Sequence, residues 1–309
     1  MKSASYKMTS FRPGSEARVQ ASESTRQAPD SRLTVCPLTV ADEPEVLAFL
    51  AERPAHTFGL AGFVRDNGLV NPLNRGTFYG CRNEGGQIEG VALIGHATLF
   101  EARSDRAIEL FARLAQDCPN LFLLLGEQEK VARFWDYYAE GGQQLRLACR
   151  EVLFEQSWPV LVRDRVQGLR LATLDDLDLI VPVHALTVID ESGVNPLETD
   201  PEGFRKRCAR RIEMGRTWVC IEDRNVVFKA EVVTESPEVT YIEGVWVAPE
   251  ERGRGLGLQC MSQLGRNLLQ KTESICLLVN DQKKAAQAFY KRAGYRSIST
   301  YETIFLRQG

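Results

Sequence analysis

The chain of 309 residues contains only 3 histidines, 4 methionines and 4 tryptophans. His56, His96 and His184 each stand alone, with no second His or Cys at metal-ligand spacing, so no metal centre is expected. The 8 cysteines, at 36, 81, 118, 149, 208, 220, 260 and 276, include no Cys-x-x-Cys pair. Cys220 and Cys276 sit inside apolar runs, which reads as packed, reduced thiols rather than a disulfide framework. No apolar run reaches the ~18 residues of a spanning helix, and the first residues lack the apolar core of a signal peptide. The formal net charge of −3 argues against a general nucleic-acid binder. The expectation is a cytoplasmic protein with no membrane, nucleic-acid or metal partner; a homodimer is compatible with the sequence.

Enough apolar residue is present, 44%, to build substantial cores. The length suggests about two domains. Residues 1–32 are rich in Ser, Arg, Glu and Gln with almost no apolar pattern, which reads as a disordered tail.

The most informative stretch is Val247-Ala248-Pro249-Glu250-Glu251-Arg252-Gly253-Arg254-Gly255-Leu256-Gly257. It follows an apolar strand, Tyr241 to Val247, and opens a helix-patterned segment, Leu256 to Gln270. Glycines let a backbone approach a ligand closely. A helix N-terminus offers unpaired N–H groups and partial positive charge to an anion. Arg252 and Arg254 add charge-assisted donors. The stretch thus reads as a phosphate cradle. It is not a P-loop, because no Lys-Ser/Thr follows, and its glycine spacing and late position do not fit a dinucleotide fingerprint.

Arg252-Gly253-Arg254-Gly255-Leu256-Gly257 resembles the acyl-coenzyme A pyrophosphate loop of the GCN5-related N-acetyltransferases, the GNAT superfamily. A second block supports the resemblance: a strand Leu277-Leu278-Val279-Asn280, then Ala286, Phe289-Tyr290 and Gly294-Tyr295. Lys283 departs from the pattern, since many members place a second Asn there. The element order βααβββαβαβ over about 166–307 is similar to that of the family.

The chain is also similar to itself. Leu124 to Asp136 lies without a gap on Leu278 to Tyr290. Leu33-Thr34-Val35 with Thr39 and Asp42 resembles Leu169-Arg170-Leu171 with Thr173 and Asp176, and Phe78 to Cys81 resembles Trp218 to Cys220. The expectation is a mixed α/β chain of α+β character: two tandem GNAT-like domains, each a mostly antiparallel sheet flanked by helices. Residues 33–165 form the degenerate copy and 166–309 the catalytic one. After the strand Val91 to Ile94, where a cradle should follow, the first copy reads His96-Ala97-Thr98-Leu99 and carries no Gly-x-Gly. Gly126 replaces Asn280 and Asp136 replaces Tyr290.

The resemblance implies transfer of an acetyl group from acetyl-coenzyme A to an amine acceptor, directly within a ternary complex. Backbone N–H groups from Arg252 to Gly257 would hold the pyrophosphate. The strand near Val245 and Val247 would pair with the pantetheine arm and polarise the thioester carbonyl. Tyr290 would protonate the leaving thiolate, or it is a half-buried core aromatic. Asn280 would hold coenzyme A or a water, or it caps its strand. Alternation places Tyr241, Glu243, Val245 and Val247 on one face, and Glu243 is the first choice for the base. A Lys229–Glu231 or Lys229–Glu243 pair is the competing reading. Asp190, Glu191 and Glu198 would suit a cationic acceptor or are solvated. Arg205-Lys206-Arg207 with Arg210-Arg211 reads as an exposed helix face. A non-catalytic acyl-coenzyme A sensor or scaffold remains the alternative function.

Overall fold

Thr39 and Thr173 open the two halves in the same way. Each backbone N–H donates to a carboxylate three residues on, Asp42 and Asp176, at 2.8 Å in both cases. Each Thr side chain reciprocates, closing a capping box that starts a short 3-10 turn. A computed structural model describes residues 32–160 and 165–307 of the chain. The expected tail, Arg32 apart, and the side chain of Glu191 lie outside what is described.

The N-terminal half runs β1 (Thr34–Pro37), α1 (Glu43–Ala51), α2 (Pro54–Asn67), β2 (Gly76–Arg82), β3 (Ile88–Gly95), β4 (Ala97–Ala102), α3 (Asp105–Gln116), β5 (Leu123–Glu127), α4 (Gln128–Tyr138) and β6 (Leu145–Gln156). The C-terminal half runs β7 (Arg170–Leu171), α5 (Leu177–Ser192), α6 (Pro196–Thr199), α7 (Pro201–Glu213), β8 (Thr217–Glu222), β9 (Asn225–Glu235), β10 (Val239–Val247), α8 (Leu256–Leu268), β11 (Ser274–Asn280), α9 (Lys284–Arg292) and β12 (Arg296–Leu306). The orders agree apart from the one-turn helix α6. Asp223 and Arg224, at φ 47° and 62°, form the two-residue turn between β8 and β9.

The described strands join one 12-stranded sheet, ordered β1-β2-β3-β4-β5-β12-β6-β11-β10-β9-β8-β7. The order is palindromic about the β12–β6 pair. Among the described strands, only β4 with β5 and β10 with β11 run parallel. The closing strands are exchanged: β6, from the N-terminal half, pairs with β11, and β12, from the C-terminal half, pairs with β5. The sequence pattern does not foretell this exchange, because a period-2 pattern marks the two faces of a strand but not its neighbour.

Alternation sends the apolar residues to two faces. On one face, α8 and α9 bury Met261, Leu264 and Phe289 against Leu277, Val279 and Phe154. On the other, α2 crosses from the first half to the second. Its Phe58 packs with Tyr241, Cys276, Leu153 and Tyr301. A Cβ at Gly62 would lie 2.1 Å from the Thr234 methyl, so glycine is what lets α2 approach β9. Arg216 forks onto Asp66 of α2 at 2.5 and 2.6 Å, and Arg65 of α2 meets Glu238 at 3.1 Å. The halves are therefore fastened by a shared sheet, a shared core and ion pairs.

One expectation needs correction. Val91 to Ile94 lies in β3, which turns directly into β4. The cradle position of the first half therefore follows β4, at Arg103 and Ser104. No Gly-x-Gly stands there either, and Ser104 caps α3 through the Ala107 N–H.

Candidate active site

The glycine loop joins β10 to α8. Gly253 and Gly255 have φ of 78° and 93°, conformations that side chains oppose. Gly255 is the N-cap of α8 and has no side chain to engage the first-turn N–H groups, which leaves them available to an anion. Gly257 sits in the first turn, where a Cβ would come within 2.8 Å of the Val247 methyl, so glycine seats the helix against its strand. Arg252 Nε donates to the Val247 carbonyl at 3.0 Å and braces the loop. Arg254 is mostly exposed and near Glu251 at 3.3 Å.

Immediately before the loop, the parallel strands part. β10 and β11 pair only from Val239↔Ser274 to Tyr241↔Cys276. Beyond Tyr241 the ladder between β10 and β11 does not continue. A bulge reshapes the same segment from the other side: Glu243 faces Glu231, yet Trp246 faces Lys229, so β10 carries one residue too many. Gly244 takes φ 56° within it. The strict alternation expected over Tyr241 to Val247 therefore fails at Gly244, because a bulge shifts the side-chain phase by one.

The expected catalytic pair lies on opposite faces of the sheet. Tyr290, on α9, is half-buried in the cluster containing Phe154, Leu277 and Val279, with ring centroids 5.2 Å from Phe289 and 5.8 Å from Tyr295. Glu243 lies on the Tyr241 face, beneath α5, 3.0 Å from Arg211. The gap between β10 and β11 is what connects the two faces. Asn280 ends β11, and its side-chain oxygen accepts from the Gln282 N–H at 2.9 Å, the behaviour of a cap.

Behind the bulge lies a buried charge network that the sequence revealed only as a pair of polar residues in an apolar strand. Lys229 is fully buried. Its Nζ is 3.1 Å from Glu231 Oε1, 3.1 Å from His184 Nδ1 and 3.2 Å from the Gly244 carbonyl. An ammonium has three donors and no acceptor, so Nδ1 of His184 must accept and the ring proton sits on Nε2, which faces Glu231 at 3.6 Å. Burial, then the Lys229 charge, pushes the His184 pKa down to about 3. The ring stacks on Phe204 at 5.2 Å. Arg211 bridges Glu231 and Glu243, and these pairs outweigh burial and raise its pKa. Arg211 is thus not part of a solvated face: its helix, α7, turns it inward. Burial would raise the Glu231 pKa, but Lys229 and Arg211 hold it low.

The exchanged strand β6 adds a carboxylate that sequence reasoning missed. Glu151 lies opposite Asn280 on one side and Tyr301 on the other. It accepts from the Thr303 hydroxyl at 2.6 Å. Burial and then the Glu243 charge raise its pKa. Only the strand exchange brings it here, so nothing local in the sequence signals it.

In the N-terminal half the corresponding strands also part, after Leu99↔Leu125. There the space is occupied by charge. Arg53 forks onto Glu127 at 2.9 Å and reaches Glu101 at 2.9 Å. Lys130 lies 2.6 Å from Glu101 and 3.1 Å from Glu127. His56 joins Glu127 and the Tyr301 hydroxyl, each at 3.1 Å. A small cavity remains among these groups. Among the described residues no cluster of three or more potential metal ligands occurs, and no helix is long and apolar enough to cross a membrane.

Residues 213–297 match the family model described as an acetyltransferase (GNAT) domain. No curated protein matches the chain in sequence. Solved structures resemble it over nearly its full length. A Drosophila protein is 15% identical, with a TM-score of 0.64, covering 89% of this chain and 98% of that one. A GCN5-related N-acetyltransferase from Sphaerobacter thermophilus is 15% identical, with a TM-score of 0.56 and coverage of 90% and 96%. A tandem GNAT protein from the clavulanic acid biosynthesis pathway is 14% identical, with a TM-score of 0.55 and coverage of 90% and 99%. At such identities the likeness is one of fold.

Proposed function

Because the chain consists of two tandem GNAT-like folds, with a GNAT domain in its C-terminal half, we propose that it is an acetyl-coenzyme A-dependent N-acetyltransferase with one active site, in that half. The observation that carries the reading is the parting of β10 from β11 directly before a glycine-capped helix N-terminus. The helix end and the loop N–H groups from Arg252 to Gly257 receive the pyrophosphate. The edge of β10 beyond that ladder, through Val245 and Val247, receives the extended pantetheine arm, as a strand receives a neighbour. The gap then presents the thioester between the two faces, and Asn280 flanks it.

Catalysis is direct transfer. The amine approaches on the face bearing Glu243, which takes its proton through a water. The nitrogen attacks the thioester carbonyl carbon, the C–N bond forms and the C–S bond breaks. The thiolate leaves on the opposite face, protonated by Tyr290; a phenol, whose reference pKa in water is about 10, is a reasonable donor to a thiolate. No second donor site is expected in the N-terminal half, because no glycine cradle follows β4 at Arg103 and Ser104; ion pairs also line the matching gap.

Calorimetric titration with acetyl-coenzyme A tests the binding part. One equivalent is expected, and none for Gly255→Glu, which places bulk and negative charge in the cradle. Tyr290→Phe then separates an enzyme from a sensor: the enzyme keeps its affinity for the donor and loses turnover. A variant that releases thiol as fast as the wild type would remove Tyr290 from the mechanism. A folded wild type that binds no acetyl-coenzyme A would overturn the reading.

A further inference from the structure

We propose that Lys229 is a positioning residue that aims the Val245 N–H into the gap between β10 and β11, where it polarises the acyl thioester carbonyl. The inference rests on the transferase reading above and adds to it a group remote from the substrate.

The peptide unit joining Gly244 to Val245 has its carbonyl held from one side. In a trans peptide the C=O and the N–H point in opposite directions. The Gly244 carbonyl points at Lys229 Nζ, 3.2 Å away. The Val245 N–H of the same unit therefore points away from Lys229. Neither neighbouring strand is in register to receive it. β9 loses register here, where the ladder jumps from Glu243↔Glu231 to Trp246↔Lys229, and pairing with β11 has stopped at Tyr241↔Cys276. The direction of that N–H thus depends on what holds the carbonyl.

What holds it is unusually fixed. The Lys229 ammonium is fully buried, lies within hydrogen-bond distance of the Gly244 carbonyl and His184 Nδ1, and is ion-paired with Glu231 Oε1 at 3.1 Å. Glu231 is itself tied to Arg211, and the His184 ring to Phe204. A charge placed so deeply is retained only where it is fully paired. A Cβ at position 244 would come 3.1 Å from Lys229 Nζ and 3.8 Å from the His184 ring, at a φ of 56°. Gly244 and Lys229 are therefore required together: the glycine makes room and the lysine sets the peptide plane. A preorganised donor of this kind stabilises developing oxyanion charge without reorganising during reaction.

The test reads carbonyl polarisation directly and needs no acceptor. Acetyl-coenzyme A labelled with carbon-13 at the thioester carbonyl is bound to the wild type and followed by difference infrared spectroscopy, with calorimetry confirming occupancy. Lys229→Met alone leaves Glu231 without its buried partner and risks unfolding. The paired variant Lys229→Met with Glu231→Leu removes both charges, leaves Arg211 its pair with Glu243, and is expected to keep the fold. Gly244→Ala serves as a second, independent variant.

The wild type is expected to lower the carbonyl stretch relative to free acetyl-coenzyme A. Both variants are expected to bind the donor but return the stretch towards its free value. In amine-acetylation assays the same variants are expected to lose on the order of 10²-fold in kcat, the effect of losing one oxyanion donor, with little change in donor affinity. A purely structural role would lower stability and leave the bound carbonyl frequency unchanged. Equal frequency shifts in the wild type and both variants would overturn the proposal, as would a wild type that binds the donor with no shift. A wild type that binds no donor sinks the transferase reading itself, and this inference with it; calorimetry distinguishes that case.

Discussion

Phe58, from the first half of the chain, stacks on Tyr241, from the second, with ring centroids 4.0 Å apart and planes 13° from parallel. Tyr241 is the last residue of β10 to pair with β11. The ring from α2 thus clamps the strand at the point where the two parallel strands part. The N-terminal half, without a cradle of its own, contributes by fixing where the gap in the other half begins.

Phe58→Ala should therefore act on both halves at once. Truncating a buried aromatic costs about 3–5 kcal/mol. Urea denaturation should show that loss in a single cooperative transition. Two separated transitions would mean that the halves fold independently despite their common sheet.

Stability should depend on pH through His184. The unfolded pKa is about 6.5, and burial beside Lys229 brings the folded value down to about 3. A depressed histidine pKa means that the unfolded chain binds the proton more readily. The contribution is fully present above pH ~6.5 and is lost as pH falls towards the folded value, by up to ~1.4 kcal/mol per unit. His184→Asn keeps an acceptor for Lys229 but does not titrate. Its stability curve should be flatter between pH ~6.5 and ~4, which thermal melts across that range will show.

The ion pairs in the first half predict a stoichiometry. Arg53→Met takes one cation from Glu101, which is 7% exposed, and one from Glu127. Stability should fall by about 2 kcal/mol. Acetyl-coenzyme A should still titrate as one equivalent, because Arg103 and Ser104 provide no cradle. A second equivalent in the variant would show that the charges alone exclude the donor.

Gly257→Leu tests the seating of α8. Its Cβ would meet the Val247 methyl at 2.8 Å and the Phe289 ring at 3.5 Å. The helix must shift off β10, and with it the N–H groups of the loop. Donor affinity should fall by ~10-fold or more, since 1.4 kcal/mol corresponds to each factor of ten. Calorimetry measures it; unchanged affinity would place the pyrophosphate elsewhere.

Local features were legible in the chain by itself. The matching segments around Thr39 and Asp42 and around Thr173 and Asp176, and the glycines at 253, 255 and 257, each depend on residues within a few positions of one another. Short-range geometry has few solutions, so residue type and spacing determine it. The same holds for the internal repeat and for the absence of a cradle in the first half. Tertiary structure alone decided that β6 and β12 change places, that Arg211 turns inward to two carboxylates, that Glu151 stands opposite Asn280, and that an extra residue at Gly244 shifts the phase of β10. Each of these depends on which distant strand lies alongside. A period-2 pattern names the two faces of a strand but neither its neighbour nor its register, and a buried charge declares its partner only when the chain has folded around it.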